Sequence, residues 1–279
     1  MRKLGLIGGM SWLSTRTYYE HINKLVQARA GQRASAPLLI ESLDFSDMAR
    51  LSTPEEWARA AEVLADSARR LEAAGATALI IGANSMHKVY DKVAAAVGVP
   101  IIHIAECVAA RMEANGVRKA ALIGTRNVMV ESFYRQKLIQ RDIELLPPEM
   151  EFVDTLDRII YDELLLGKAS RQAERELRTI LTNLQQDGAQ AVVLGCTELE
   201  MVVDTDANVL PIYDCTRLQK RALDEMGLPH NAEPAHIRER YGALIKQYHP
   251  DSNGGDRSME HRLHVVIRAF KALKASGLA

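Results

Sequence analysis

A chain of 279 residues, 47% hydrophobic and 25% charged, is long enough for one large domain or two, each with its own core. Its net charge of −1 supplies no field for nucleic acid or an anionic membrane. No stretch reaches the roughly 20 apolar residues of a membrane span.

The first apolar run, 4–7, reads as a buried strand that ends in Gly8-Gly9-Met10-Ser11. The N-terminal apolar run is broken by Gly8 and Gly9 and does not read as a signal peptide. A charged, helix-period segment covers 55–74, and a second strand at 78–81 runs into Gly82-Ala83-Asn84-Ser85-Met86-His87. After Val99-Pro100-Ile101 the pattern starts again. A strand at 120–123 leads into Gly124-Thr125-Arg126-Asn127, and a helix covers 170–187. A strand at 191–194 leads into Gly195-Cys196-Thr197-Glu198, and Leu210-Pro211-Ile212 closes the series. Strands alternating with helices predict an α/β fold with parallel sheets.

The two series match in order. Residues 2–8 resemble 118–124, 75–82 resemble 188–195, and 99–101 resemble 210–212, at offsets of 116, 113 and 111. The expected architecture is two pseudo-symmetric lobes, one from about 1–100 plus 211–219 and one from 101–210. Together they form a domain of 1–219 with strand ends facing a shared crevice. Four small-residue turns at those strand ends offer free backbone N–H groups to a carboxylate. The candidate substrate-binding residues lie there: Gly9, Met10, Ser11, Asn84, Ser85, Thr125, Thr197 and Glu198. Gly8-Gly9 lacks the third glycine and the downstream acid of a dinucleotide fingerprint.

Gly-Gly-Met-Ser-Trp at 8–12, Asn-Ser-Met-His at 84–87, Gly-Thr-Arg at 124–126 and Gly-Cys-Thr-Glu at 195–198 resemble the aspartate/glutamate racemase family, in the family's order. The resemblance implies an amino-acid racemase without cofactor, a homodimer, and a cysteine from each lobe on opposite faces of the substrate α-carbon. A thiol, with an ordinary pKa of about 8.5, is tunable downward at helix N-termini and suits such proton transfer. The candidate catalytic residue is Cys196. The family's other cysteine falls at Ala83, and the internal repeat aligns Ala83 with Cys196 as well.

Alanine cannot move a proton, so three readings stay open. Cys196 works with a water or a neighbour such as Ser85 or His87 on the other face; or it protonates a carbanion from one face only, as in arylmalonate decarboxylases of this fold; or the lobes bind an amino acid without inverting it. Aspartate-specific relatives carry basic residues in the segments matching 44–48 and 161–167. Neither segment has one here, although Lys168 adjoins the second. A small amino acid with an uncharged side chain is therefore expected.

Cys107 and Cys215 read as packing residues, and His103 as structural. The three cysteines lack paired spacing, which argues against disulfides and for a reducing cytoplasm. The His and Cys spacing predicts no metal site.

Residues 220–279 change character: charged, without strand signals, and predicted as a small all-α helical hairpin domain. Ile237, Tyr241, Leu244, Ile245 and Tyr248 fall at helical spacing on a basic helix. His249-Pro250-Asp251, a Gly-Gly turn at 254–255 and a second helix over 260–274 follow. This resembles a J-domain, whose His-Pro-Asp motif engages the seventy-kilodalton heat-shock chaperone. The resemblance implies partner contacts at His249, Pro250 and Asp251, with attractive charge from Arg238, Arg240 and Lys246. The segment 223–229 resembles the short first helix of that module. No Gly/Ser/Pro-rich linker precedes it, and a shortened last racemase helix is expected to weaken the second lobe.

Overall fold

A computed structural model of the chain describes residues 3–46, 48–204, 208–215, 234–249 and 260–275. Strands β1 (Lys3–Gly8), β2 (Leu38–Ser42), β3 (Ala76–Ile81) and β4 (Ile101–Ile102) form one sheet in the order β2-β1-β3-β4. Strands β5 (Lys119–Gly124), β6 (Glu144–Leu145), β7 (Ala191–Gly195) and β8 (Ile212–Asp214) form another in the order β6-β5-β7-β8. Every pairing is parallel, with Leu6 opposite Ile80 and, in the second sheet, Leu122 opposite Val193. Two sheets of one order bear out the duplication. The expected lobe boundaries need one correction. The strand at 212–214 pairs with β7 in the second sheet, as the strand at 101–102 pairs with β3 in the first.

The helices are α1 (Trp12–Ala30), α2 (Pro54–Ala73), α3 (Tyr90–Ala94), α4 (Ile104–Ala114), α5 (Arg126–Val130), α6 (Ser132–Ile139), α7 (Met150–Asp162), α8 (Arg171–Gln186), α9 (Pro234–Tyr248) and α10 (Glu260–Ala275). Local sequence explains why α2 starts where it does. Thr53 Oγ1 accepts from the Glu56 backbone N–H, the Glu56 carboxylate accepts from Thr53 N–H, and Pro54 opens the first turn. Ala60, Leu64, Ala68 and Leu71 then recur on one buried face.

Strand alternation sends side chains to the two faces of each sheet. Ile7, Leu79 and Ile81 pack with Trp57, Leu64 and Leu71 of α2, while Leu6, Ala78 and Ile80 pack with Tyr18 and Ile22 of α1. In the second sheet, Ile123, Val192 and Leu194 meet α7 and α8 through Leu156, Ile160, Leu177 and Leu181. The opposite face, with Ala120, Leu122 and Val193, meets Tyr134 and Leu138 of α6. It also meets Ile104, Val108 and Met112 of α4, so the helix that follows the first sheet packs on the second. Cys215 is buried there, its Sγ 2.7 Å from the Leu194 carbonyl, as a packing residue.

The two tail helices fall where the sequence places them and pack on each other, with Tyr241 and Phe270 stacked at 3.9 Å. They lie against the first sheet and α4: Ile237 and Ala269 join the cluster of Leu6, Tyr18, Ile80 and Cys107. The expected short helix at 223–229, Pro250, Asp251 and the Gly-Gly turn lie outside the described residues. Among the described residues no helix is long and apolar enough to cross a membrane.

Candidate active site

Strands β3 and β7 end at equivalent points, and the residue after each final glycine enters one crevice. Its walls include Met10, Ala83, Asn84, Ser85, Thr125, Cys196, Thr197 and Glu198 from the predicted turns. Cys196 has an extended backbone between β7 and a 3-10 turn over Thr197–Met201, and it is buried. Ala83, also buried, precedes the corresponding 3-10 turn over Ser85–Val89. The crevice thus presents one sulfur and one methyl from sister positions.

The sulfur has a partner. Cys196 Sγ donates to Glu198 Oε2 at 3.2 Å, and Glu198 Oε1 accepts from Ser11 Oγ at 2.5 Å and Ser14 Oγ at 2.6 Å. Glu198 is 6% exposed, so these hydroxyls replace water around its carboxylate. Burial, and next the Glu198 carboxylate, push the Cys196 thiol well above its ordinary range. The expected downward tuning by a helix N-terminus is therefore overturned: the turn after Cys196 spans five residues, and an acid sits beside the sulfur. At rest the group is a thiol, an acid whose proton points at a carboxylate.

Across the wall, the side-chain oxygen and nitrogen of Asn84 and Thr125 Oγ1 are buried and have no hydrogen-bond partner among the described residues. Buried polar atoms are seldom left so, and these line the crevice with Ser85. They can accept or donate to a small polar ligand, such as a carboxylate.

Three predicted site residues play other parts. Gly9 is outside the crevice wall; its N–H is bound to Thr15 Oγ1 at 2.7 Å, so it is not the expected anion donor. It has φ of 88°, and a Cβ there would meet the Leu43 carbonyl oxygen at 2.1 Å, so glycine is needed for packing. Ser11 touches Glu198, not the open crevice. His87 is 2% exposed, its Nδ1 3.0 Å from the Ala83 carbonyl and its Nε2 accepting from Ile104 N–H at 3.2 Å. Burial lowers its pKa to about 4, so it is a neutral strut behind Ala83 and no second base. His103 caps α4 through Ala105 N–H and is likewise driven down by burial, to about 2. His249 lies at the end of α9, its N–H bound to the Ile245 carbonyl.

Ser14 and Ile160, which sequence reasoning missed, also line the crevice wall, and so do Phe45, Tyr161 and Leu165 from the two segments, 44–48 and 161–167, read for substrate specificity. Ser14 was open to discovery, since it stands one helical turn past Ser11. The others come from the loop after β2 and the end of α7 with its following turn, outside the duplicated motifs. Arg50, two residues beyond the segment read as lacking basic groups, lies 4.5 Å over the Tyr161 ring and is paired with Asp162 at 3.0 Å.

The sequence profile of the Asp/Glu/Hydantoin racemase family matches residues 7–223, and that of the DnaJ domain matches 223–277. A Yersinia pestis crystal structure assigned as an Asp/Glu racemase is 37% identical, with a TM-score of 0.74 over 82% of this chain and 100% of that one. An aspartate racemase homologue from Pyrococcus horikoshii is 32% identical, with a TM-score of 0.70 over 81% of this chain and 99% of that one. The broad specificity amino-acid racemase RacX of Bacillus subtilis is 20% identical over 76% of this chain and 92% of its own. Two further curated relatives match over short stretches, and the chain spans only a fraction of their lengths. These are 35% of a Sinorhizobium sp. protein (43% identical over 60 residues) and 12% of chaperone protein DnaJ from Caldicellulosiruptor saccharolyticus (38% over 48). With the profile covering most of the chain and sister turns closing one crevice, this chain belongs to the Asp/Glu/Hydantoin racemase family.

Proposed function

We propose that the chain is a cofactor-independent amino-acid racemase that moves the α-proton through one thiol, Cys196, on a small amino acid with an uncharged side chain. The observation that carries this reading is the Cys196–Glu198 hydrogen bond in a crevice whose sister position is Ala83. Asn84 and Thr125 hold the substrate carboxylate and stabilise the charge that develops on it as the α-proton leaves. The Cys196 proton passes to Glu198 Oε2, and the resulting thiolate takes the α-proton and becomes a thiol again. Inversion is completed when a water on the Ala83 face gives a proton to the carbanion. The hydroxide left behind is neutralised by the proton on Glu198 through solvent. When the thiol returns its own proton instead, exchange occurs without inversion.

The apolar wall of Met10, Phe45, Ile160 and Leu165 supports an uncharged substrate, and Arg50 is engaged by Asp162. RacX, described as a broad specificity amino-acid racemase, supports the reaction class. The test is α-proton exchange in heavy water over a panel of amino acids, expected in the native chain and lost in Cys196→Ser. No exchange on any substrate overturns the reading.

A second reading has its own support. A thiol protonated at rest is a ready proton donor, which suits one-face protonation of a carbanion left by decarboxylation or isomerisation. It is separated from the first by feeding arylmalonates and reading carbon dioxide release. For the tail, we propose engagement of a heat-shock chaperone through His249, Pro250 and Asp251, supported by the DnaJ-domain match. The buried thiols suit a reducing cytoplasm.

A further inference from the structure

The described helices of the tail are short, 15 residues in α9 and 16 in α10, and form a pair with an apolar face. Its apolar face is not left open. Ile237 and Ala269 are each 1% exposed, and Leu244, Leu263 and Val266 are buried with them. Ile237 and Ala269 enter the cluster formed by Leu6, Ala78, Ile80 and Ile102 of the first sheet, Tyr18 and Ile22 of α1, and Cys107 of α4. Helix α10 lies along α4. The other face of α4, with Ile104, Val108 and Met112, belongs to the core of the second lobe. One helix is thus covered on one side by the second sheet and on the other by the tail.

We propose that the C-terminal helical pair is a docked wall of the first lobe, sealed over the Cys107 thiol, and unfolds with that lobe instead of swinging on a tether. The chemistry of the joint is that of a domain core: aliphatic and aromatic side chains, without an ion pair among the residues of the cluster. The outward side of α9 keeps Arg238, Arg240 and Lys246 exposed, so its positive charge stays available to an acidic partner while the tail is docked. Cys107 is 5% exposed, and burial pushes its thiol up to about 12, which makes it a quiet reporter of the joint.

The experiment uses the full chain, iodoacetamide and mass-spectrometric mapping of each cysteine. Cys107 is expected to react at least about 1000-fold more slowly than a peptide thiol, since labelling must wait for an opening of the structure. Ala269→Asp places a charge in the joint and is expected to speed Cys107 labelling by about 100-fold while leaving Cys215, in the second lobe, as slow as before. Labelling of native Cys107 at the peptide rate, or no change in Ala269→Asp, overturns the proposal. Should that variant unfold throughout, with Cys215 labelled too, hydrogen exchange on the native chain decides. Amides of 263–270 and of 78–81 opening together support docking. Amides of 263–270 exchanging freely while those of 78–81 stay protected contradict it.

Discussion

Ala83 and Cys196 each stand one residue past the glycine that ends or follows its strand, β3 and β7, and both face the same crevice. On the proposed mechanism, the duplication keeps the place of a second acid–base group and not the group. Restoring it is therefore a direct manipulation. Ala83→Cys is expected to raise the ratio of inversion to exchange by at least about 10-fold, because a positioned acid contributes 10²–10⁴ where water contributes little. Chiral chromatography read beside deuterium incorporation measures the ratio. An unchanged ratio would show that the Ala83 face does not meet the α-carbon.

Glu198 has two effects on Cys196 that a single variant separates. Its negative charge raises the thiol pKa, and its carboxylate accepts the thiol's hydrogen bond, the path of the proposed proton transfer. Glu198→Gln removes both while keeping size and a hydrogen-bonding oxygen. The charge-derived part of the shift disappears and the burial part stays, so the alkylation profile of Cys196 moves to lower pH yet stays above that of a free thiol. At pH 8 alkylation is expected to quicken, while α-proton exchange falls by about 100-fold or more. A variant that lost exchange and also alkylated more slowly would contradict the assigned role.

The proposed substrate preference rests on the wall residues. Phe45, Ile160 and Leu165 offer no partner for a second carboxylate. Neutral amino acids are expected to turn over at least about 10-fold faster than aspartate, judged by kcat/KM. Leu165→Lys is expected to narrow or reverse that order. Faster turnover of aspartate by the native chain would show that Arg50 leaves Asp162 and enters the crevice.

Much of this was legible in the sequence because it rests on period and on repetition. The buried strands β1, β3, β5 and β7 are short apolar runs bounded by glycine, and the repeat aligned Ala83 with Cys196 before any geometry was known. The edge strands were not legible. In β2 the apolar run Leu38-Leu39-Ile40 is only three residues long and none of the strand is fully buried, and β6 has only two residues, so neither stands out as a buried strand. The lobe boundaries departed from the repeat: the strand at 212–214 was given to the first lobe although 210–212 matches 99–101, and the sheets follow the repeat. The thiol environment was misjudged for a different reason. Glu198 is an ordinary first-turn acid in sequence, and only the fold brings Ser11 and Ser14 to its far oxygen.

The tail carries a separate expectation. His249 ends α9, next to the motif's Pro250 and Asp251. The full chain is expected to stimulate the ATPase of a seventy-kilodalton heat-shock chaperone at least about twofold, and His249→Gln to remove that stimulation without changing the racemase domain's thermal midpoint. Equal stimulation by both chains, or none by either, would contradict the chaperone reading.

The claim on which the mechanism stands is that Cys196 carries the α-proton. Proton NMR in heavy water on a panel of neutral amino acids measures it, comparing the native chain with Cys196→Ser. Loss of the α-proton signal in the native sample, slowed at least about 1000-fold by the substitution, is the expected result. Exchange that continues unchanged in Cys196→Ser would contradict the account.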